Sequence, residues 1–422
     1  MRNKPLHLAG RLAALGAFAA SMAGAGRAQA QDCASYPNPV VIVGSSAVQT
    51  FVQTVAGALA ALQDPITVMY LPPGSCAGYQ AIIPHNGNID FPLGGQSPGT
   101  WSAGAKTANY LQVWDATGTA LPNCTLPVDA PIDADIAIAD VFPATCSVAV
   151  PSGMKEYRGP VQSMTFGVYK DSNYHVMSGE AAYLTFGLGA DGGTPWDDAS
   201  HIWIRDQFSG TQQMIAAAIG VPATSWVNTG TANSTSGGGI ITALQGTVGD
   251  QNLIDKSIGI LGMDAIRGNS AGDVIPLAYQ HFGQTAGYYP SSSLGSNDMQ
   301  NTRDGHYMIQ GPVHMVTRVT NGTPVNPNAK ILIDYLTGAT VPTTFDLIQL
   351  EANKSIVPDC AMRVTRDEDA GAFMSYMPDH SCECKFLKAA TQDVPAECTE
   401  CGSNNDCGSD RPVCNYGYCE VQ

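Results

Sequence analysis

Positive charge is what this chain has least of. Only 13 % of its 422 residues are charged, and 20 Lys and Arg face 36 Asp and Glu, for a formal net charge of −16. Binding to nucleic acid depends on basic side chains that displace counterions from phosphates, and anionic membrane surfaces attract basic patches, so both are excluded as general partners. Past the first thirty residues no apolar run approaches the roughly 20 residues that span a bilayer, so membrane insertion is not expected. A disorder signature is also missing, because hydrophobic residues make up 44 % of the chain and supply ample core material. The length exceeds one ordinary core and points to two or three domains.

What is present is export chemistry. Arg2, Lys4 and Arg11 precede an apolar run from Leu12 to Ala23, and Ala28-Gln-Ala30 offers small residues for cleavage. Residues 1–30 therefore read as a signal peptide cut after Ala30, which makes the mature chain periplasmic or secreted. Cys33 lacks the small apolar residues that would precede a lipidated cysteine. Twelve cysteines suit an oxidising compartment. Seven of them, Cys382, Cys384, Cys398, Cys401, Cys407, Cys414 and Cys419, crowd the last forty residues, with Cys360 as the natural eighth. So short and polar a segment needs covalent staples to fold. Zinc is the rival explanation of Cys382-x-Cys384 and Cys398-x-x-Cys401, but export and a single histidine, His380, favour disulfides. Residues 379–422 are expected to form a disulfide module that resembles the short cysteine-rich repeats of secreted adhesion and display proteins. Cys33, Cys76, Cys124 and Cys146 remain for the main body, with Cys76 able to bridge to Cys124 or Cys146.

Three segments share one local design. Val40 to Val43 reads as a buried strand that runs into Gly44-Ser45-Ser46 and a helix carrying Val48, Phe51, Val52, Val55 and Leu59. Ile66 to Leu71 reads as a second strand, followed by Gly74-Ser75-Cys76-Ala77-Gly78 and an apolar segment through Ile83. Arg205 then precedes Ser209-Gly210-Thr211 at the start of a helical pattern over 212–219. Helix starts carry unpaired N–H groups and partial positive charge, so each is a candidate anion site. Arg205 adds a forked donor.

With Ile89-Asp-Phe91 and Ser257-Ile-Gly-Ile-Leu261, these motifs resemble the phosphate-binding proteins of bacterial ABC importers, over roughly residues 38–350. The resemblance implies a two-lobed α/β fold of the periplasmic-binding-protein type II kind; periodicity alone supports only an α/β class. It implies a first lobe over 38–150 completed by 275–378, a second lobe over 151–274, and an oxyanion held between them by Ser45, Ser46, Ser75, Arg205, Gln207, Ser209, Gly210 and Thr211. The expected partners are a small oxyanion, phosphate or sulfate, and an ABC permease. No cofactor, metal or enzymatic activity is expected. The carboxylates that accept the proton of phosphate in that family are not found at the matching places, near Gly95 and at Gln207, which opens the site to sulfate; Asp206 is a substitute one residue away. The alternative is a surface or secreted interaction protein that keeps the scaffold and works through its tail. A hydrolase is disfavoured: Gly95-Gln-Ser97-Pro-Gly99 imitates a nucleophile elbow, but Pro98 has no N–H for an oxyanion hole. Asp133, Asp135 and Asp140 read as a solvated strand edge, Arg303-Asp-Gly-His306-Tyr307 as a turn with a partly buried histidine, and Trp101, Trp114, Trp196, Trp203 and Trp226 as core.

Overall fold

A computed structural model describes residues 32–83, 111–124, 134–227 and 236–421. The leader, Ile89 to Phe91, Gly95, Ser97, Trp101 and Asp133 lie outside the described residues. Val40 and Ile42 point to one face of β1 (Pro39–Gly44), which pairs in parallel with β2 (Thr67–Leu71) on one side and β4 (Ile136–Ala139) on the other. A short β3 (Gln112–Val113) closes the β2 edge. Helix α1 (Gln49–Ala60) lays Phe51, Val52, Val55 and Leu59 on that face, joined by α9 (Pro327–Leu336) through Leu332 and Ile333. The opposite face, with Ala137 and Ala139, is covered by Tyr79 and Ile82 of α2 (Ser75–Ile82). All four residues of β4 are buried. Covered on both faces, a strand has no solvated side to alternate with.

Two long strands carry the chain between lobes. β5 (Met154–Tyr169) pairs along its first part with β11 (Gln310–Thr320), which in turn pairs with β4. Its last part pairs with β8 (Ile258–Gly262) and β9 (Val274–Pro276) in a second lobe, beyond which β7 (Ile202–Trp203) lies parallel to β8. A parallel pair of β6 (Val176–Ser178) and β10 (Ala278–Gln280) flanks this lobe. Its helices are α3 (Gly179–Leu188), α4 (Gly210–Ile219), α5 (Gly237–Gln245), α6 (Gln251–Lys256) and α7 (Met263–Gly268). Phe166, Phe186, Trp196, Met214, Ile215, Trp226 and Ile260 build its core, with Trp203 packed at the margin; Trp114 belongs to the first lobe. The fold is thus two-lobed α/β. The return to the first lobe, expected at residue 275, comes later: Leu277, Tyr279, Tyr307 and Ile309 still pack in the second core, and β11 makes the crossing.

The C-terminal region is docked on the body. After α8 (Gln300–Arg303), the edge strand β12 (Thr323–Pro324) and α10 (Leu347–Ala352), a small hairpin of β13 (Val364–Thr365) and β14 (Met374–Ser375) leads to α11 (Glu383–Thr391) and a last hairpin, β15 (Val413–Asn415) and β16 (Tyr418–Glu420). Phe386 of α11 is fully buried among Val161, Met299, Ile348 and Val357. Arg303 is buried against Glu383, whereas His306, expected to be partly buried, is exposed beside Asp304. Every cysteine is bridged: Cys33–Cys124, Cys76–Cys146, Cys360–Cys382, Cys384–Cys398, Cys401–Cys414 and Cys407–Cys419. The sulfurs of the zinc-like spacings are therefore all taken. Among the described residues no helix is long and apolar enough to cross a membrane.

Candidate functional site

The three glycine-serine motifs meet between the lobes. β1 ends at Gly44, where φ is +147° and a Cβ would fall 1.8 Å from the Ile138 carbonyl oxygen, so only glycine fits. Ser45 follows, its N–H donating to that carbonyl (2.9 Å) and its Oγ accepting from the N–H of Ala47 (3.0 Å) just ahead of α1. β2 leads to Gly74, also at positive φ, whose N–H donates to Gly44 O (2.9 Å) and so sets the start of α2 beside that of α1. From the second lobe, the Phe208 carbonyl accepts the Cys76 N–H (3.1 Å), which brings Ser209, Gly210 and the start of α4 against α2. Arg205, 3 % exposed, donates from Nη2 to Ser46 Oγ across the lobes (2.6 Å). The disulfide Cys76–Cys146 ties the first turn of α2 to the turn that follows Phe142.

At the centre stands Asp140, which the sequence suggested was a solvated edge. It is 1 % exposed. It immediately follows β4, an interior strand, so it enters the space between the helix starts and has no edge to occupy. Oδ2 accepts from Ser45 Oγ (2.6 Å) and Ser75 Oγ (3.0 Å), and its own N–H donates to Ser75 Oγ (3.1 Å). Asp135, by contrast, is half-buried and accepts from the Val41 N–H (2.8 Å). A second carboxylate, Asp264 in the first turn of α7, is 2 % exposed and accepts from Thr50 Oγ1 of the first lobe (2.9 Å) and from Gln162 Nε2 (3.4 Å).

Two acids thus line the site where sequence matching found none. Two other expectations fail. Gln207 is exposed outside the cluster, its carbonyl taking Gln213 Nε2. Asp206 is exposed too, with Oδ1 held by the Phe208 N–H (2.8 Å) in a local turn, so it does not turn inward. Ser45, Ser46, Ser75, Arg205, Ser209, Gly210 and Thr211 do converge, the serines partly on Asp140. Inside the cluster Asp140 Oδ1 and Thr211 Oγ1 find no hydrogen-bond partner among the described residues. Buried polar atoms are rarely left so.

Burial dominates the electrostatics. Desolvation raises the pKa of Asp140 to about 6 against the pull of the Ser45 and Ser75 hydroxyls, Arg205 and His314. It raises Asp264 to about 7, opposed by Thr50 and the Ala265 N–H and reinforced by Asp140. Arg205 is lowered by its own desolvation, while Asp206, Asp140 and Asp264 hold it up. The folded state therefore keeps protons that the unfolded chain has released, and stability falls as pH rises from about 4 through 7. At about 1.4 kcal/mol per unit, each acid costs roughly 3–4 kcal/mol once ionised. Asp264→Asn should then melt above the parent at pH 8 and level with it near pH 4. A pH series of thermal melts in which the variant is no more stable at pH 8 contradicts these environments.

No protein-family model and no curated protein matches the chain. Solved structures resemble it in shape at low identity. An ABC-type phosphate transport receptor from Vibrio cholerae is 14 % identical, with a TM-score of 0.45 over 75 % of this chain and 99 % of that one. A phosphate binding protein from Stenotrophomonas maltophilia is 16 % identical, with a TM-score of 0.40 over 76 % and 90 %. A reduced form of OxyR from N. meningitidis is 8 % identical, with a TM-score of 0.38 over 76 % and 100 %. At that level of likeness the site has to be read from this chain's own residues.

Proposed function

We propose that the chain is an exported solute-binding protein that holds phosphate, or another oxyanion that keeps a proton near neutral pH, between its lobes. The observation that carries this reading is Asp140. Its Oδ2 is clamped by two hydroxyls, while Oδ1 lacks a partner among the described residues, beside Arg205 and three helix starts. An ionised carboxylate only accepts hydrogen bonds, so its natural neighbour is a ligand that donates one. Ser45 and Ser75 each have a single O–H, already directed at Asp140. They position the acid, and the ligand is left to Arg205, Ser46, Thr211 and the backbone N–H groups of the helix starts.

Selectivity follows from the same acids. A fully deprotonated dianion such as sulfate would face Asp140 and Asp264 with no proton to offer, which removes the tolerance for sulfate inferred from Gln207. Export is supported by the leader and by complete cysteine pairing. Delivery to a membrane permease is the role such a protein would have. Calorimetry at pH 7.5 should show phosphate binding at least about tenfold tighter than sulfate, the scale of one hydrogen bond to a charged group. Equal affinity refutes the role given to the acids. No response to any oxyanion returns the assignment to the surface-interaction alternative.

A further inference from the structure

A second pocket, which shares no lining residue with the oxyanion site, lies where the C-terminal region docks on the first lobe. It is a groove of about 840 Å³ between the loop over 337–346, helix α10 and the tail residues around Pro378, His380 and Tyr416. Its charge is lopsided: Asp346, Glu351, Asp359 and Asp379 line it against Lys385 and His380. Two of the acids are engaged, Asp346 with Lys385 Nζ (2.5 Å) and Asp359 with the Tyr376 hydroxyl. Glu351 is different. It lines the groove, is 2 % exposed, and its Oε2 has no hydrogen-bond partner among the described residues. Burial, reinforced by Asp346, raises its pKa well above the usual carboxylate range.

Four aromatic rings stand in the walls. Tyr335 and Phe345 meet edge-on at 5.8 Å between ring centroids, and Tyr376 and Tyr416 line the tail side. Aromatic faces attract cations, best when water is excluded, and a buried carboxylate in the lining supplies the counter-charge. We propose that this groove is a second binding site, specific for a small organic ammonium ion, with Glu351 as its counter-ion and the tail's aromatic residues completing the enclosure. Pro378, Asp379, His380, Lys385 and Tyr416 complete the lining, which gives the docked cysteine-bridged region a role separate from the oxyanion site.

The test uses the full oxidised chain and three probes: choline, n-butylammonium, and 3,3-dimethylbutan-1-ol, the uncharged isostere of choline. Titration calorimetry should show saturable binding of at least one cation and none of the alcohol. Binding should release a proton from Glu351, visible as a heat that changes with the buffer's ionisation enthalpy. Glu351→Gln keeps the shape, removes the charge, and should weaken the cation at least about tenfold, with an unaltered circular dichroism spectrum as a check on folding. The comparison of cation and alcohol on the parent protein needs no variant. No binding of either cation, equal binding of the alcohol, or an unchanged affinity in a folded Glu351→Gln protein each overturns the proposal. None of these outcomes bears on phosphate, so the two sites stand or fall separately.

Discussion

Arg205→Ala is expected to lower phosphate affinity by one to two orders of magnitude. The guanidinium is 3 % exposed and bonded to Ser46 across the lobes, so it serves the ligand and the closed arrangement together. A hydrogen bond to a charged group contributes roughly 1.5–3 kcal/mol, and a planar fork can make two. Its loss also removes a cation that interacts with both Asp140 and Asp264, while the two acids still disfavour each other's ionisation. Both acids would then hold their protons to higher pH, and a neutral acid accepts from the ligand more weakly than a carboxylate does. Arg205→Lys separates these contributions: it keeps the charge and should recover part of the affinity, but not the forked geometry. Calorimetry that finds phosphate bound as tightly by Arg205→Ala as by the parent removes this residue, and the site built around it, from the account.

How much of this was legible depends on what kind of signal each residue left. The strand-glycine-serine-helix motifs were readable because glycine is forced where backbones touch: at Gly44 against Ile138, and at Gly74 against Phe208. Periodicity then located α1 and α4 to within a residue or two. The acids escaped because they obey no periodicity. Asp140 follows the buried run Ile136–Ala139, and Asp264 sits two residues beyond the buried run Ile258–Gly262. Each is an acid placed just past the end of a strand with no exposed residue, in the crevice where α/β folds hold their ligands. That grammar was present in the sequence at both places. Reading Ile-Ala-Ile-Ala-Asp as alternation hid it, since a doubly covered strand has no polar face. The groove beside Glu351 left no local signal, because its walls come from residues 335 to 416 and depend on how the bridged tail docks.

Gly210→Ala is the substitution most directed at the closed arrangement. Gly210 opens α4 with an ordinary helical backbone, so alanine there is intrinsically favourable by up to about 1 kcal/mol. The obstacle is contact across the lobes. A Cβ would stand 2.2 Å from Ser75 Oγ, 2.3 Å from Asp140 Oδ2 and 2.9 Å from Asp140 Cβ. The Ser75 hydroxyl can rotate away, but Asp140 is fixed by β4 behind it and by Ser45, so the start of α4 must retreat. Retreat breaks the Cys76–Phe208 hydrogen bond and moves the start of α4, with Thr211, away from α2. Overpacking of this kind costs roughly 1–3 kcal/mol, which predicts an affinity for phosphate lowered by about 5- to 140-fold. Because the cost is borne only when the lobes are closed, unfolding of the free protein should change far less than binding does, and small-angle scattering with saturating phosphate should show a larger radius of gyration than the parent's. Ser75→Ala combined with Gly210→Ala should recover only part of the loss, since Asp140 remains in the way. Full phosphate affinity and an unchanged radius in Gly210→Ala would mean that α4 and α2 do not meet at Asp140, and the oxyanion site as described would not exist.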